Sequence, residues 1–182
     1  FLLASISIAP VLYLAKISFF IEKNNLLLIF SNSLFMVSYN YFYFRGTQVG
    51  LAGAGGVLVT TLNPVLTLLI STVIYNTKIS KKDIFGLAFG LISGAFIIRI
   101  WELDITSLLQ SGNLFFILAS ISWVCVTITT SNSKGRLSFM SYSFWSFAFA
   151  FVLSIPLAYE QNLLSVFEFD LIFWINLLFL SC

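Results

Sequence analysis

The residues best suited to handling a solute are amides and hydroxyls set in an apolar run. In VLVTTLNPVLTLLIST, residues 57–72, polar and small side chains recur at helical spacing. At 100° per residue, Gly53, Gly56, Thr60, Asn63, Thr67 and Ser71 fall within an arc of about 80°. An asparagine amide offers both donor and acceptor, and a hydroxyl offers one donor and two acceptor sites. Such a stripe can hydrogen-bond a polar or zwitterionic solute, with Asn63 the central group. Pro64 has no N–H for the carbonyl of Thr60, so a helix through this run is kinked and holds an extra free acceptor beside Asn63.

Two other runs show the same segregation. Asn32, Ser33, Met36, Tyr39, Asn40 and Tyr43 share about a third of a helical circumference, and Asn113, Ser120, Trp123, Thr127 and Ser131 lie within about 80°. From these stripes the expected substrate-binding residues are Asn32, Tyr39, Asn40, Thr60, Asn63, Trp123 and Thr127. Two readings stand side by side. The stripes are helix-packing contacts, with threonine hydroxyls satisfying the freed carbonyl, or they line a shared polar cavity such as a broken helix builds in a secondary transporter.

Other chemistry is poorly served. The chain contains no histidine, which removes the commonest general base and metal ligand and every Ser/His/Asp or Cys/His arrangement. Glu102 and Asp104 read as a solvated connection at a membrane edge. Cys125 and Cys182 lie in separate apolar runs and suggest neither a disulfide framework nor a zinc site. GAGG at 53–56 lacks the lysine and the strand context of a phosphate loop. No catalytic residue, metal or cofactor is expected, and the chain does not read as an enzyme.

The elements that carry these stripes must lie in lipid. Hydrophobic residues make up 59% of the chain and charged residues 9%, with a mean hydropathy of +1.01, whereas a soluble domain carries about 25% charged residues. Apolar segments run over 1–20, 26–44, 50–75, 84–101, 112–131, 138–159 and 169–182, joined by short polar connections. A span needs about 20 residues, so the expected fold is all-α, a polytopic transmembrane helix bundle of six spans plus a truncated seventh. A chain that opens apolar at residue 1, without methionine or a basic leader region, reads as a piece cut inside a span. GLAFGLISG adds Gly86, Gly90 and Gly94 at a spacing of four, expected to let helices pack closely.

Charge gives the orientation. With alternating spans, one side collects Lys16, Lys23, Lys78, Lys81, Lys82, Lys134 and Arg136, and the other only Arg45 and Arg99, together with Glu102, Asp104, Glu160, Glu168 and Asp170. The positive-inside rule makes loops 21–25, 76–83 and 132–137 cytoplasmic, in a bacterial-type inner membrane. A net charge of +2 is too small to argue for nucleic acid. The expected partners are a small-molecule substrate and the lipid bilayer.

A family resemblance joins these pieces. The run from GTQVGLAGAGG through LNPVLTLLISTVIYNTKISKKDIFGLAFGLISGAFII resembles the heart of the EamA family of the drug/metabolite transporter superfamily. There a small-residue helix with a mid-helix proline meets a basic loop and then a glycine-spaced helix. Pro64, the KIS loop and Gly86 and Gly94 match that pattern. SGNLFFILASISWVCVTITTSNSK is similar to the opening helix of the family's second repeat. The resemblance implies ten helices in two inverted five-helix repeats, with residues 1–104 supplying helices two to five of the first and 105–182 helices six to eight of the second. One departure is Thr77, where relatives often carry a glutamate before the basic loop residue. The resemblance favours a secondary transporter that exports small organic metabolites, such as amino acids, across the cytoplasmic membrane by alternating access. The competing class is a non-transporting structural membrane protein whose stripes are packing contacts.

Overall fold

The computed structural model describes residues 1–50, 52–76, 78–97, 99, 101, 112–158 and 163–181. Seven α-helices run along the described chain: α1 Leu2–Leu14, α2 Lys23–Val49, α3 Ala52–Tyr75, α4 Lys81–Ile97, α5 Leu114–Ser133, α6 Phe139–Ala158 and α7 Leu171–Ser181, with a 3₁₀ turn at Leu163–Glu168 before the last. Among the described residues there is no strand. Three helical stretches, Gly55–Tyr75, Leu114–Ser133 and Phe139–Ala158, are long and apolar enough to cross a membrane. Thr77, Glu102, Asp104, Glu160, Cys182 and the expected repeat boundary after residue 104 lie outside the described residues.

Two helix bounds differ from expectation for local reasons. The first apolar run is expected to reach residue 20, yet α1 has only 13 residues. Lys16 adopts a left-handed conformation, φ 53°, and its N–H reaches the Tyr13 carbonyl while that of Ile17 reaches Leu12. This pair of bonds is the Schellman ending usually built on glycine. In the other direction, α2 runs for 27 residues and takes in Lys23 and Arg45, so it exceeds the apolar stretch 26–44 at both ends.

The described chain divides into two compact units, Phe1–Val37 with Thr129–Cys182, and Ser38–Ile128. In the first, α1 packs on α6 and touches α7. Ser141, Ser146 and Ala150 are buried along α6, and such small side chains permit close backbone approach where lipid supplies no hydrophobic drive. The Ser33 hydroxyl donates to the carbonyl of Ser146 at 2.8 Å, and that of Thr129 donates to Asn32 Oδ1 at 2.8 Å. At one end, the chain after α1 meets the chain before α6. Ser141 Oγ donates to the Ser18 carbonyl at 2.7 Å, Trp145 Nε1 donates to that of Phe19 at 2.9 Å, and Glu22 and Arg136 line one small cleft. The basic stretches around Lys23 and Lys134 therefore share an end of this unit.

The second unit is built around Phe116, which is fully buried and packs with Val59 and Ala119 beneath Tyr39, Phe42, Tyr43 and Leu58. Its ring lies against two glycines. A Cβ on Gly46 would stand 2.7 Å from Phe116 Cε1, and one on Gly55 would be closer still. Only the missing side chains at 46 and 55 let this ring in.

α4 begins on a reciprocal cap. The N–H of Asp83 donates to Ser80 Oγ at 3.2 Å and that of Ser80 donates to Asp83 Oδ2 at 3.0 Å, which satisfies two N–H groups that the first turn leaves without helical partners. Hydrogen bonding from Ser80, its side chain first and its backbone N–H second, holds the Asp83 carboxyl below the usual aspartate range.

Candidate functional site

The polar stripe of α3 exists because the 3.6-residue period returns Thr60, Asn63, Thr67 and Ser71 to one face. The structure sets that face against α5. Thr60, Asn63, Pro64, Thr67, Leu68 and Ser71 together with Trp123 and Thr127 line an open cleft of about 500 Å³. This volume lies within the range of small-molecule sites, roughly 300 to 1,000 Å³. None of its lining residues is ionisable.

Three of the hydroxyl protons around the cleft are already committed. Thr60 Oγ1 donates to the Gly56 carbonyl at 2.8 Å, Thr127 Oγ1 to that of Trp123 at 3.0 Å, and Ser71 Oγ to that of Thr67 at 2.5 Å. A hydroxyl that donates to its own helix keeps its lone pairs, so these groups present acceptors. The Thr60 hydroxyl donates toward the preceding turn and does not cap the carbonyl that Pro64 frees. Asn63 Oδ1 is buried without a hydrogen-bond partner, so the amide carries unused acceptor capacity at mid-helix. A buried amide group left in this state costs about 1–3 kcal/mol. That cost is recovered when a donor arrives.

The far wall is aromatic. Trp123 is packed by Tyr39, ring centroids 4.8 Å apart at 51°, and Tyr39 stacks in turn on Tyr43 at 5.9 Å. Tyr43 meets the buried Phe116 at 6.0 Å. The indole of Trp123 is thus held by a row of rings that ends at the centre of the unit.

Of the seven residues expected at a binding site, Thr60, Asn63, Trp123 and Thr127 line this cleft. Tyr39 supports it from behind, and Asn40 is half-buried and outside the lining. Asn32 belongs to the other unit, 2% exposed, and its amide accepts from Thr129. Thr67, Ser71 and Leu68 belong to the lining but not to the expected set. The first two share the α3 stripe, and that periodicity alone was enough to include them. Gly94 faces Thr61 closely, whereas a Cβ on Gly86 or Gly90 would have nothing within 4 Å. Among the described residues no group of three or more Cys, Asp or Glu side chains could hold a metal ion.

The model of the EamA-like transporter family matches residues 1–99, which is more than half of the 182-residue chain and includes all of α3 and α4. The chain belongs to the EamA-like transporter family. As an EamA member it is a membrane protein of the drug/metabolite transporter superfamily, and the proline helix and glycine-spaced helix noted in its sequence both fall inside the matched region. No curated protein and no solved structure matches the chain.

Proposed function

We propose that the chain belongs to a secondary transporter that exports small organic metabolites such as amino acids across the cytoplasmic membrane by alternating access. The observation that carries this reading is the cleft between α3 and α5, where an unbonded amide oxygen, outward hydroxyl lone pairs and an indole surround about 500 Å³. Its lining suits a solute that brings hydrogen-bond donors, as an ammonium group does, on a body of no net charge. On this reading residues 1–104 and 105–182 belong to two inverted repeats of a ten-helix protein, and loops 21–25, 76–83 and 132–137 face the cytoplasm. The charge bias supports that orientation, and the membrane proposed is a bacterial-type inner membrane.

A structural protein without transport is the second reading. It is favoured by the bonds from Thr129 to Asn32 and from Ser33 to Ser146, in which stripe residues hold helices together. The two readings separate in the full-length protein freed of native cysteines. Thr60→Cys and Asn63→Cys should each react with an aqueous thiol reagent, and a transported solute should slow the reaction. Reconstituted protein should move one or more members of an amino-acid and metabolite panel. Protection of both cysteines from the reagent, together with no flux of any solute, would overturn the transport reading.

A further inference from the structure

α3 lies between two cavities, and its two halves meet α4 differently. A chain of five residues joins α3 to α4, so the two helices run antiparallel, and positions near 61 on α3 oppose positions near 94 on α4. At that level they touch. A Cβ on Gly94 would come within 2.7 Å of Thr61 Oγ1 and 3.1 Å of its methyl group. One and two turns nearer the loop, at Gly90 and Gly86, an added Cβ would find no atom within 4 Å. The helices therefore diverge beyond Gly94, and a second cleft of about 330 Å³ runs along the pair, from Val57 and Ile97 past the Thr61–Gly94 contact to Pro64 and Val65 on one side and Gly90 and Gly86 on the other.

This arrangement is costly for a static helix pair. Glycine within a helix sacrifices backbone entropy, and a close-packed partner is what normally offsets that loss. Gly94 has such a partner, while Gly86 and Gly90 face open space. The divergence also begins where α3 is weakest, because Pro64 deletes a backbone hydrogen bond one turn past the Thr61 contact. Thr60 and Pro64 border this cleft and the polar cleft on the opposite face of α3 alike. A displacement of the later half of α3 toward α4 would therefore fill one cavity while enlarging the other.

We propose that the half of α3 beyond Pro64 swings toward α4 about the Thr61–Gly94 contact, and that Gly86 and Gly90 keep its path clear. This rests on the transport reading for its purpose: the swing widens the polar cleft on one side of the cycle and narrows it on the other. The motion itself has a readout that needs no substrate.

In the full-length, cysteine-free protein, Val65→Cys with Gly90→Cys should form a disulfide under mild oxidation. That bond brings the two Cβ atoms to about 3.8 Å, closer than the 4 Å that an added Cβ on Gly90 keeps clear at rest. The cross-linked form should lose flux at least tenfold and regain it on reduction. The pair Gly86→Leu with Gly90→Leu fills the open space, and the added Cβ at each position meets no atom within 4 Å at rest. It should leave the melting temperature unchanged and the substrate affinity within about twofold of the parent's while lowering flux at least tenfold. Failure of the disulfide to form, or parental flux in the leucine pair, overturns the proposal. If the parent protein itself moves no solute, the transport reading falls on that result, and disulfide formation alone then decides whether α3 closes onto α4.

Discussion

The two compact units treat their stripe asparagines in opposite ways. In residues 1–37 with 129–182, stripe residues are joined across helices: Asn32 accepts from Thr129, and Ser33 donates to the backbone of α6. In residues 38–128, the stripe of α3 faces a cleft, its hydroxyls turn back to their own helix, and Asn63 Oδ1 has no partner. Two asparagines on similar sequence patterns thus meet different ends. An amide bonded across a helix pair fixes the packing of that pair. An amide left with a free acceptor in a low-dielectric setting is destabilising until a donor reaches it.

The largest test of this contrast removes the support of the cleft. Phe116→Ala should cost about 3–5 kcal/mol of stability, as deletion of a buried aromatic ring does. Because Phe116 carries Tyr43, and through it Tyr39 and Trp123, substrate affinity should fall alongside the melting temperature. A melting temperature equal to the parent's would show that the ring is not the centre of its unit.

The two asparagines should separate cleanly. Asn63→Leu should weaken substrate binding by about 1–3 kcal/mol, the cost of a lost hydrogen bond in a desolvated site, while leaving the melting temperature unchanged or slightly raised because an unpartnered acceptor is gone. A lowered melting temperature with parental affinity would make Asn63 a packing residue. Asn32→Leu should do the reverse, lowering stability by about 0.6–1.7 kcal/mol, as interhelical polar contacts in membranes do, with affinity unaltered. Both are measured on the same purified variants by thermal unfolding and equilibrium binding.

The smallest effect concerns the cap of α4. The Asp83 carboxyl titrates below its unfolded value because Ser80 bonds its charged form, so its contribution is complete above the ordinary aspartate pKa of about 3.9 and is lost as the pH falls through the lower folded value. Melting temperature should be level between pH 7 and 5 on this account and decline only in stronger acid. Asp83→Asn should flatten that acid limb without touching the neutral-pH affinity for substrate.

Sequence patterns carried the helices well because apolar runs bounded by polar clusters are local signals. α5 and α6 begin within two residues of expectation for that reason. The end of α1 was hidden because Lys16 takes a left-handed turn that sequence rules assign to glycine or asparagine. The stripe of α3 was legible as a face, since it depends only on spacing along one helix. What the face opposes was not. The partner that distinguishes Asn32 from Asn63 is Thr129, far away in the chain, and the atom that distinguishes Gly94 from Gly90 is a methyl-bearing side chain on another helix. Tertiary contacts of this kind leave no periodic trace.

The seating of Phe116 has a consequence for biosynthesis. Gly46 and Gly55 leave the ribosome well before the ring that rests on them, which follows Gly55 by roughly 60 residues; at about 5–20 residues per second, synthesis of that interval takes about 3–12 s. The second unit therefore cannot complete its centre until α5 has been made, and the contacts of α2 with α3 must hold without the ring until then.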